Sequence, residues 1–264
     1  MKRFYQLTII IFTLILFSCG EIRSYRSIPM GWKNISGSFH KLPEGIRVFS
    51  GRNKHIPINA WYVEIDSKNK HLSTEIVVSN DQDRRETPSQ FAERMNATVV
   101  LNGGYFLMHK IPAEHVGLLM DNNITISKTL RSMLKREERY YLTRSAIGFD
   151  YAGQIDIAWI ACHNDSIFQW EKPAKNKPDK PVTELNYKNG KYWNVRDAMQ
   201  AGPVIVSNSR KNITSDEEVF FWSKIPDIHP RTAAGYTKDG KYIFLDTSKL
   251  KLVFNAQPRY PTAV

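Results

Sequence analysis

From Ala60 to Leu245 the chain is a succession of short apolar runs, each broken by residues that turn the backbone. "AWYVEI" (60–65), "LSTEIVVS" (72–79), "SAIGFDYAGQIDIAWIA" (145–161) and "TAAGYTKDGKYIFL" (232–245) alternate apolar with polar residues or run apolar over five to eight positions. That periodicity belongs to strands. The "YAGQ" and "KDG" interruptions mark hairpin turns. Two stretches read differently. "TPSQFAERMN" (87–96) predicts a helix, with Thr87 as N-cap, Pro88 in the first turn and Phe91 and Met95 on one face. "SKTLRSMLKREERYY" (127–141) predicts a second, with Leu130, Met133 and Leu134 on a shared face and basic residues elsewhere. A basic amphipathic helix lies on a membrane surface or, as we read it here, packs its stripe on its own domain. "EKPAKNKPDKP" (171–181) reads as an exposed, extended loop. The expectation is α+β: a single domain with a largely antiparallel mixed sheet and a few flanking helices.

The first residues stand apart from that domain. Lys2 and Arg3 precede an apolar run from Leu7 to Phe17 that ends in Ser18-Cys19. The run is shorter than the roughly 20 residues a transmembrane helix needs. Residues 1–18 read as a lipoprotein signal peptide, and Cys19 as the lipidated residue. Residues 19–45 then form a tether and 46–264 the domain. An uncleaved anchor and ordinary secretion are the alternatives. The expected location is the cell envelope, with the chain held at a membrane by its lipid. With Cys19 consumed, Cys162 is the only other cysteine and has no partner for an intramolecular disulfide. It follows an apolar run and reads as a buried small hydrophobe.

The formal net charge is +11, and +9 once Lys2 and Arg3 are removed with the signal. This favours anionic partners such as phosphorylated or otherwise anionic glycans. No nucleic-acid motif is present, and neither a metal cluster nor a cofactor-binding loop is evident. Protein partners are not legible.

Three stretches place small or turn-forming residues against apolar runs: "ATVVLNGGYF" (97–106), "QAGPVIVSN" (200–208) and "HPRTAAGYTKDGKYIFL" (229–245). The first predicts a buried strand ending in Asn102-Gly103-Gly104, where the lack of side chains admits a ligand or a neighbouring backbone. Asn102 offers a donor and an acceptor there. Gly202-Pro203 predicts the start of another strand. Arg231 and Thr232 precede the strand that turns at "KDG". Each feature alone serves equally well as a structural turn.

As an ordered set the three resemble the phosphodiester glycosidase family, which hydrolyses sugar-1-phosphodiester bonds. The resemblance runs from about Ala60 to Leu245 and rests on "NGGYF", "AGPVIV" and "RTAAGYTKDGKYIFL". It implies a mixed α/β domain and no required cofactor. It points to Asn102 and Arg231 as catalytic positions and to Gly103, Gly104, Gly202 and Thr232 as substrate-binding ones. Family members continue to an Asp-Gly-Arg-like segment and a later Asp-Gly-Gly-Gly-Ser-like stretch, whereas this chain runs "DTSKLKLVFNAQPRYPTAV". The expectation is therefore a C-terminally incomplete domain with reduced or lost activity. Asp246 falls too early to take the place of the missing aspartate.

The chemistry defines what such a site needs. A phosphate monoester leaves readily, its second pKa being about 6. What remains is a cation or amide cradle for the phosphate and a carboxylate beside the anomeric carbon. Arg231 suits the phosphate through its two-pronged fork. Glu114 and Asp197 are carboxylates near the motifs, and His115 and His229 are read as structural or catalytic alike. The alternative function is a non-catalytic binder of anionic surface glycans or exopolysaccharide. A third is a structural envelope lipoprotein whose glycines serve only turns.

Overall fold

The computed structural model describes residues 30–53, 58–223 and 229–247; Cys19 and the stretch after Thr247 lie outside them. Strands β1 (Gly31–Asn34), β2 (Ile46–Arg52) and β3 (Asn59–Asp66) pair successively in antiparallel fashion. The sheet thus begins within the stretch read as a tether. After the helix Pro88–Met95, β4 (Phe106–Leu107) and β5 (Glu114–His115) form a small flap. Two hairpins follow, β6 (Leu119–Asp121) with β7 (Ile124–Ser127), and β8 (Ser132–Lys135) with β9 (Glu138–Tyr141). A meander comes next: β10 (Arg144–Phe149), β11 (Ile155–His163), β12 (Ser166–Trp170) and β13 (Lys191–Tyr192). Strand β14 (Asp197–Gln200) then returns to the far side of β10. Finally β15 (Val206–Ser207) and β16 (Arg210–Lys211) make a short hairpin, and β17 (Thr232–Tyr236) and β18 (Lys241–Asp246) a longer one.

The result is two antiparallel sheets, ordered β1-β2-β3-β18-β17 and β13-β12-β11-β10-β14-β6-β7. Alternation decides which residues lie between them. Ile46 and Val48, Val63 and Ile65, and Tyr242 and Phe244 form the inner face of the first sheet and meet Leu119 and Phe149 of the second. Phe149 and Tyr242 pack ring edge to ring face, 6.1 Å between centroids. A second cluster, with Met120, Ala146, Ile160 and Trp193, occupies the opposite face of the second sheet.

The α+β expectation is corrected: the fold is mainly β, and the chain has one α-helix among the described residues. That helix is the one anticipated. Thr87 and Gln90 form a reciprocal capping box, Pro88 opens the first turn and Asn96 closes it in the left-handed conformation. Phe91 and Met95 pack on Ala92, Ala97 and Val100. The predicted second helix is instead the end of β7 and the β8–β9 hairpin. Its turn residues Arg136 and Glu137 take φ of 45° and 70°, the conformation that a two-residue hairpin requires. Residues 72–79 belong to no strand, although Leu72, Ile76 and Val78 pack on the core. Residues 97–101 are mostly buried but likewise join no strand, and the chain reaches β15 at Val206, not at Pro203. Cys162 is half-buried. Among the described residues no helix is long and apolar enough to cross a membrane.

Candidate functional site

The first two motif stretches meet at Tyr105. Its hydroxyl donates to the Gly202 carbonyl at 2.8 Å, joining segments 97 residues apart. Both glycines at this junction are left-handed, Gly104 at φ +68° and Gly202 at φ +92°. A side chain on Gly104 would run into the His115 imidazole, and one on Gly202 into the Glu218 carboxylate and the Ser145 hydroxyl. Gly103 lies over the Met199 thioether and is exposed, as is Asn102.

Beneath Gly202, Glu218 is wholly buried. Its Oε1 accepts from Trp159 Nε1 (3.0 Å), Val204 N (3.0 Å) and Thr214 Oγ1 (2.6 Å). Its Oε2 accepts from Ser145 N (2.9 Å) and Ser145 Oγ (2.8 Å). A carboxylate has about four lone-pair sites, so five donors saturate it. Glu218 is a strut, without capacity left for a substrate.

The cation beside this strut is in the opposite condition. Arg144 opens β10 and is 4% exposed. Its guanidinium stacks on the Phe220 ring, 4.1 Å from the centroid, and Nη2 donates to the Glu218 carbonyl at 2.9 Å. Its Nε is buried with no hydrogen-bond partner among the described residues. Burial pulls the group down to about 10, against the pull of Glu218 and Tyr105, so it stays charged at neutral pH. Neutral donors fill the hydrogen-bonding capacity of the Glu218 carboxylate, so its charge balances Arg144 only at range and the Arg144 Nε–H is left unanswered, an arrangement that admits an anion.

Arg231, half-buried, brings the third motif stretch here. Its backbone N–H donates to Thr247 Oγ1 (2.9 Å), and its carbonyl accepts from Thr247 N (2.8 Å), which fixes the entry to β17. Its charge acts on Tyr105: burial raises the phenol above its ordinary range and Glu218 adds to that, while Arg144 and Arg231 oppose it. Thr232 is exposed and stands in register with Asp246, a buried residue on the inward face of β18.

His115 supplies an unanswered acceptor. Nδ1 lies 3.2 Å from the Gly117 carbonyl, which keeps the proton on that nitrogen in the neutral ring. Nε2 is buried against Gly104 with no hydrogen-bond partner among the described residues. Burial lowers the imidazole pKa, with the Gly117 carbonyl in opposition.

Of the residues anticipated from sequence, Gly103, Gly104, Gly202 and Arg231 gather around Tyr105, while Asn102 and Thr232 are exposed beside them in the chain. Asp197 is committed elsewhere, accepting from Arg196 Nε at 2.8 Å and from Asn122 N at 2.6 Å. Glu114 is exposed and 3.9 Å from Lys110 Nζ. His229 is exposed. Arg144 and Glu218 were not anticipated. The available signal was an arginine heading "RSAIGF", a run otherwise without charge. Among the described residues no group of three or more His, Cys, Asp or Glu side chains is placed to hold a metal ion.

The sequence model of the phosphodiester glycosidase family matches residues 95–250, more than half of the chain and all three motif stretches. The chain belongs to the phosphodiester glycosidase family. The resemblance carried by "NGGYF", "AGPVIV" and "RTAAGYTKDGKYIFL" is confirmed. Among solved structures it is similar to "Crystal structure of a hypothetical protein from Synechocystis", with a TM-score of 0.50 and 14% identity over 84% of this chain and 53% of that one. That likeness concerns the fold alone, and this chain spans about half the length of the solved one. A search of the curated proteins finds no match.

Proposed function

We propose that this phosphodiester glycosidase family member hydrolyses the bond between an N-acetylglucosamine-type sugar and a phosphodiester, with Arg144 and Arg231 holding the phosphoryl oxygens. One observation carries the reading: a charged, buried guanidinium beside Tyr105 and two left-handed glycines, its Nε–H without a hydrogen-bond partner among the described residues. Water adds to the anomeric carbon, the bond from that carbon to the phosphate oxygen breaks, and the phosphate monoester leaves with the bonding electrons. Two cations on the phosphate make that departure easy without a strong general acid. His115 Nε2 accepts a proton from the attacking water or a sugar hydroxyl. The carboxylate beside the positively charged anomeric carbon is Asp246 in this reading; it falls too early in the chain to be the family's missing aspartate but is buried and in register with Thr232.

The test is an aryl phosphodiester of N-acetylglucosamine, with both product pairs measured. A glycosidase releases free sugar and aryl phosphate. Release of sugar 1-phosphate and phenol would replace this reading with a phosphodiesterase. Saturable binding without turnover would establish the second reading, a binder of anionic glycans, which is supported by the saturation of Glu218. We further propose that the protein works at the cell envelope as a lipoprotein anchored through Cys19. Labelled palmitate should enter the wild type and not Cys19→Ser.

A further inference from the structure

At the edge of the second sheet five ring side chains form a continuous row. Phe168 lies 4.8 Å from Tyr192 and 5.5 Å from Tyr187, and Tyr187 lies 5.5 Å from Trp170 and 4.5 Å from His163, centroid to centroid. Two of the polar tips are tied down: Trp170 Nε1 donates to the Asn186 carbonyl at 3.3 Å, and the Tyr187 hydroxyl to the Cys162 carbonyl at 3.1 Å. The row is nonetheless open to solvent, with Tyr192 at its outer end 72% exposed. A cluster serving only to cap the sheet edge would bury that ring.

Its register ties it to the site. Ser145 pairs with Trp159, and Trp159 with Trp170; Ser145 and Trp159 are the side chains that hold Glu218. Phe168, two residues from Trp170 and so on the same face, pairs with Tyr192. The rings therefore continue the cross-strand row that forms the floor under Gly202. Three strand spacings, about 14 Å, separate β10 from β13, a span that a short oligosaccharide bridges.

We propose that this aromatic row is a stacking platform for the sugar rings of an anionic glycan whose phosphodiester occupies the Tyr105–Arg144 site. The proposal rests on the function given above. A pyranose presents a face of C–H groups that stacks on an aromatic ring. Trp170 and Tyr187, whose tips are already anchored, give up little freedom on binding. The exposed Lys188 and Lys191 flank the row and complement a negatively charged chain, although Lys191 also meets Glu171 at 3.1 Å.

Oligomers of N-acetylglucosamine 1-phosphate with one, three and six repeats, made unhydrolysable by phosphonate linkages, test it by calorimetry. Wild-type affinity should rise roughly tenfold from one repeat to six, one stacking contact being of that order. Tyr192→Ala should abolish the rise, and Tyr192→Phe should keep it, while both leave single-repeat affinity and aryl substrate turnover unchanged. An affinity that is independent of length in the wild type, or a gain that survives in Tyr192→Ala, overturns the platform and leaves the catalytic reading standing. Length-dependent binding through Tyr192 without single-repeat binding or turnover supports the platform and sinks the catalytic reading. If no oligomer binds, the platform is overturned as well.

Discussion

The Tyr105 hydroxyl and the Gly202 carbonyl, 2.8 Å apart, join the two glycine-bearing stretches of the site. Tyr105→Phe removes the donor and leaves the carbonyl unanswered. The expected loss is about 1 kcal/mol, or roughly 2–4 °C in melting temperature for a domain of this size. Turnover of the aryl phosphodiester should fall with it. Equal melting and equal turnover in the two proteins would mean the bond joins nothing.

Arg144 should make the protein's stability depend on phosphate. Inorganic phosphate at about 100 times its dissociation constant should stabilise the wild type by about 2.7 kcal/mol. Arg144→Lys should lose most of that gain, since a point charge cannot replace the fork. Arg144→Met should cost about 3 kcal/mol in phosphate-free buffer, because it leaves the buried Glu218 charge without its nearby cation and the Glu218 carbonyl without its donor. Thermal scans with and without phosphate read both. A phosphate effect that persists in Arg144→Met would move the anion site elsewhere.

Glu218 tests the distinction between strut and catalyst. In Glu218→Gln, an amide N–H₂ must face donors that now have no acceptor. The cost should be about 3 kcal/mol or more, seen as a lower urea midpoint. A Gln variant of wild-type stability but without activity would instead make Glu218 the catalytic carboxylate. The mirror case is Asp246→Asn, which should abolish turnover while phosphate stabilisation remains.

His115 gives a pH dependence. Its pKa in the folded protein lies below the ordinary 6.5 because burial penalises the imidazolium. Between the two values the unfolded chain binds more protons, so stability rises with pH. The contribution is present in full above about 6.5 and is lost as pH falls toward the folded value. His115→Gln should flatten that part of the stability profile. Urea midpoints taken across the acid range would show whether the slope survives without the imidazole.

What the sequence revealed depended on whether local chemistry and tertiary structure agreed. Thr87 with Pro88, and the "KDG" and "YAGQ" turns, carry their signals within a few residues, and all three appear as expected. The β8–β9 hairpin was hidden because Arg136 and Glu137 fill a turn that elsewhere in this chain uses Asn122-Asn123, Asn164-Asp165 and Asn208-Ser209. Without asparagine or glycine to mark it, the spacing of Leu130, Met133 and Leu134 passed for a helical stripe. The stretches holding Ile76 and Val99 were read as strands from their apolar runs, but burial does not require a ladder, and both residues are buried outside any strand. In the site, glycines announced themselves by type. Arg144 and Glu218 were silent because their roles arise from partners 74 residues apart, which no local pattern records.

Between Gln200 and Ser223 the chain has only two strands of two residues each, and such a segment is ordinarily among the first to open in native-state fluctuations. Here it encloses Glu218, whose charge is answered by Ser145 and Trp159 in the sheet and by Val204 and Thr214 in the segment itself. Peeling the segment away would strip a carboxylate of its donors and leave those donors bare at the same time. This irregular segment should therefore exchange its amide protons with the central strands rather than ahead of them, giving the candidate site the rigidity of the sheet without its hydrogen-bond ladder.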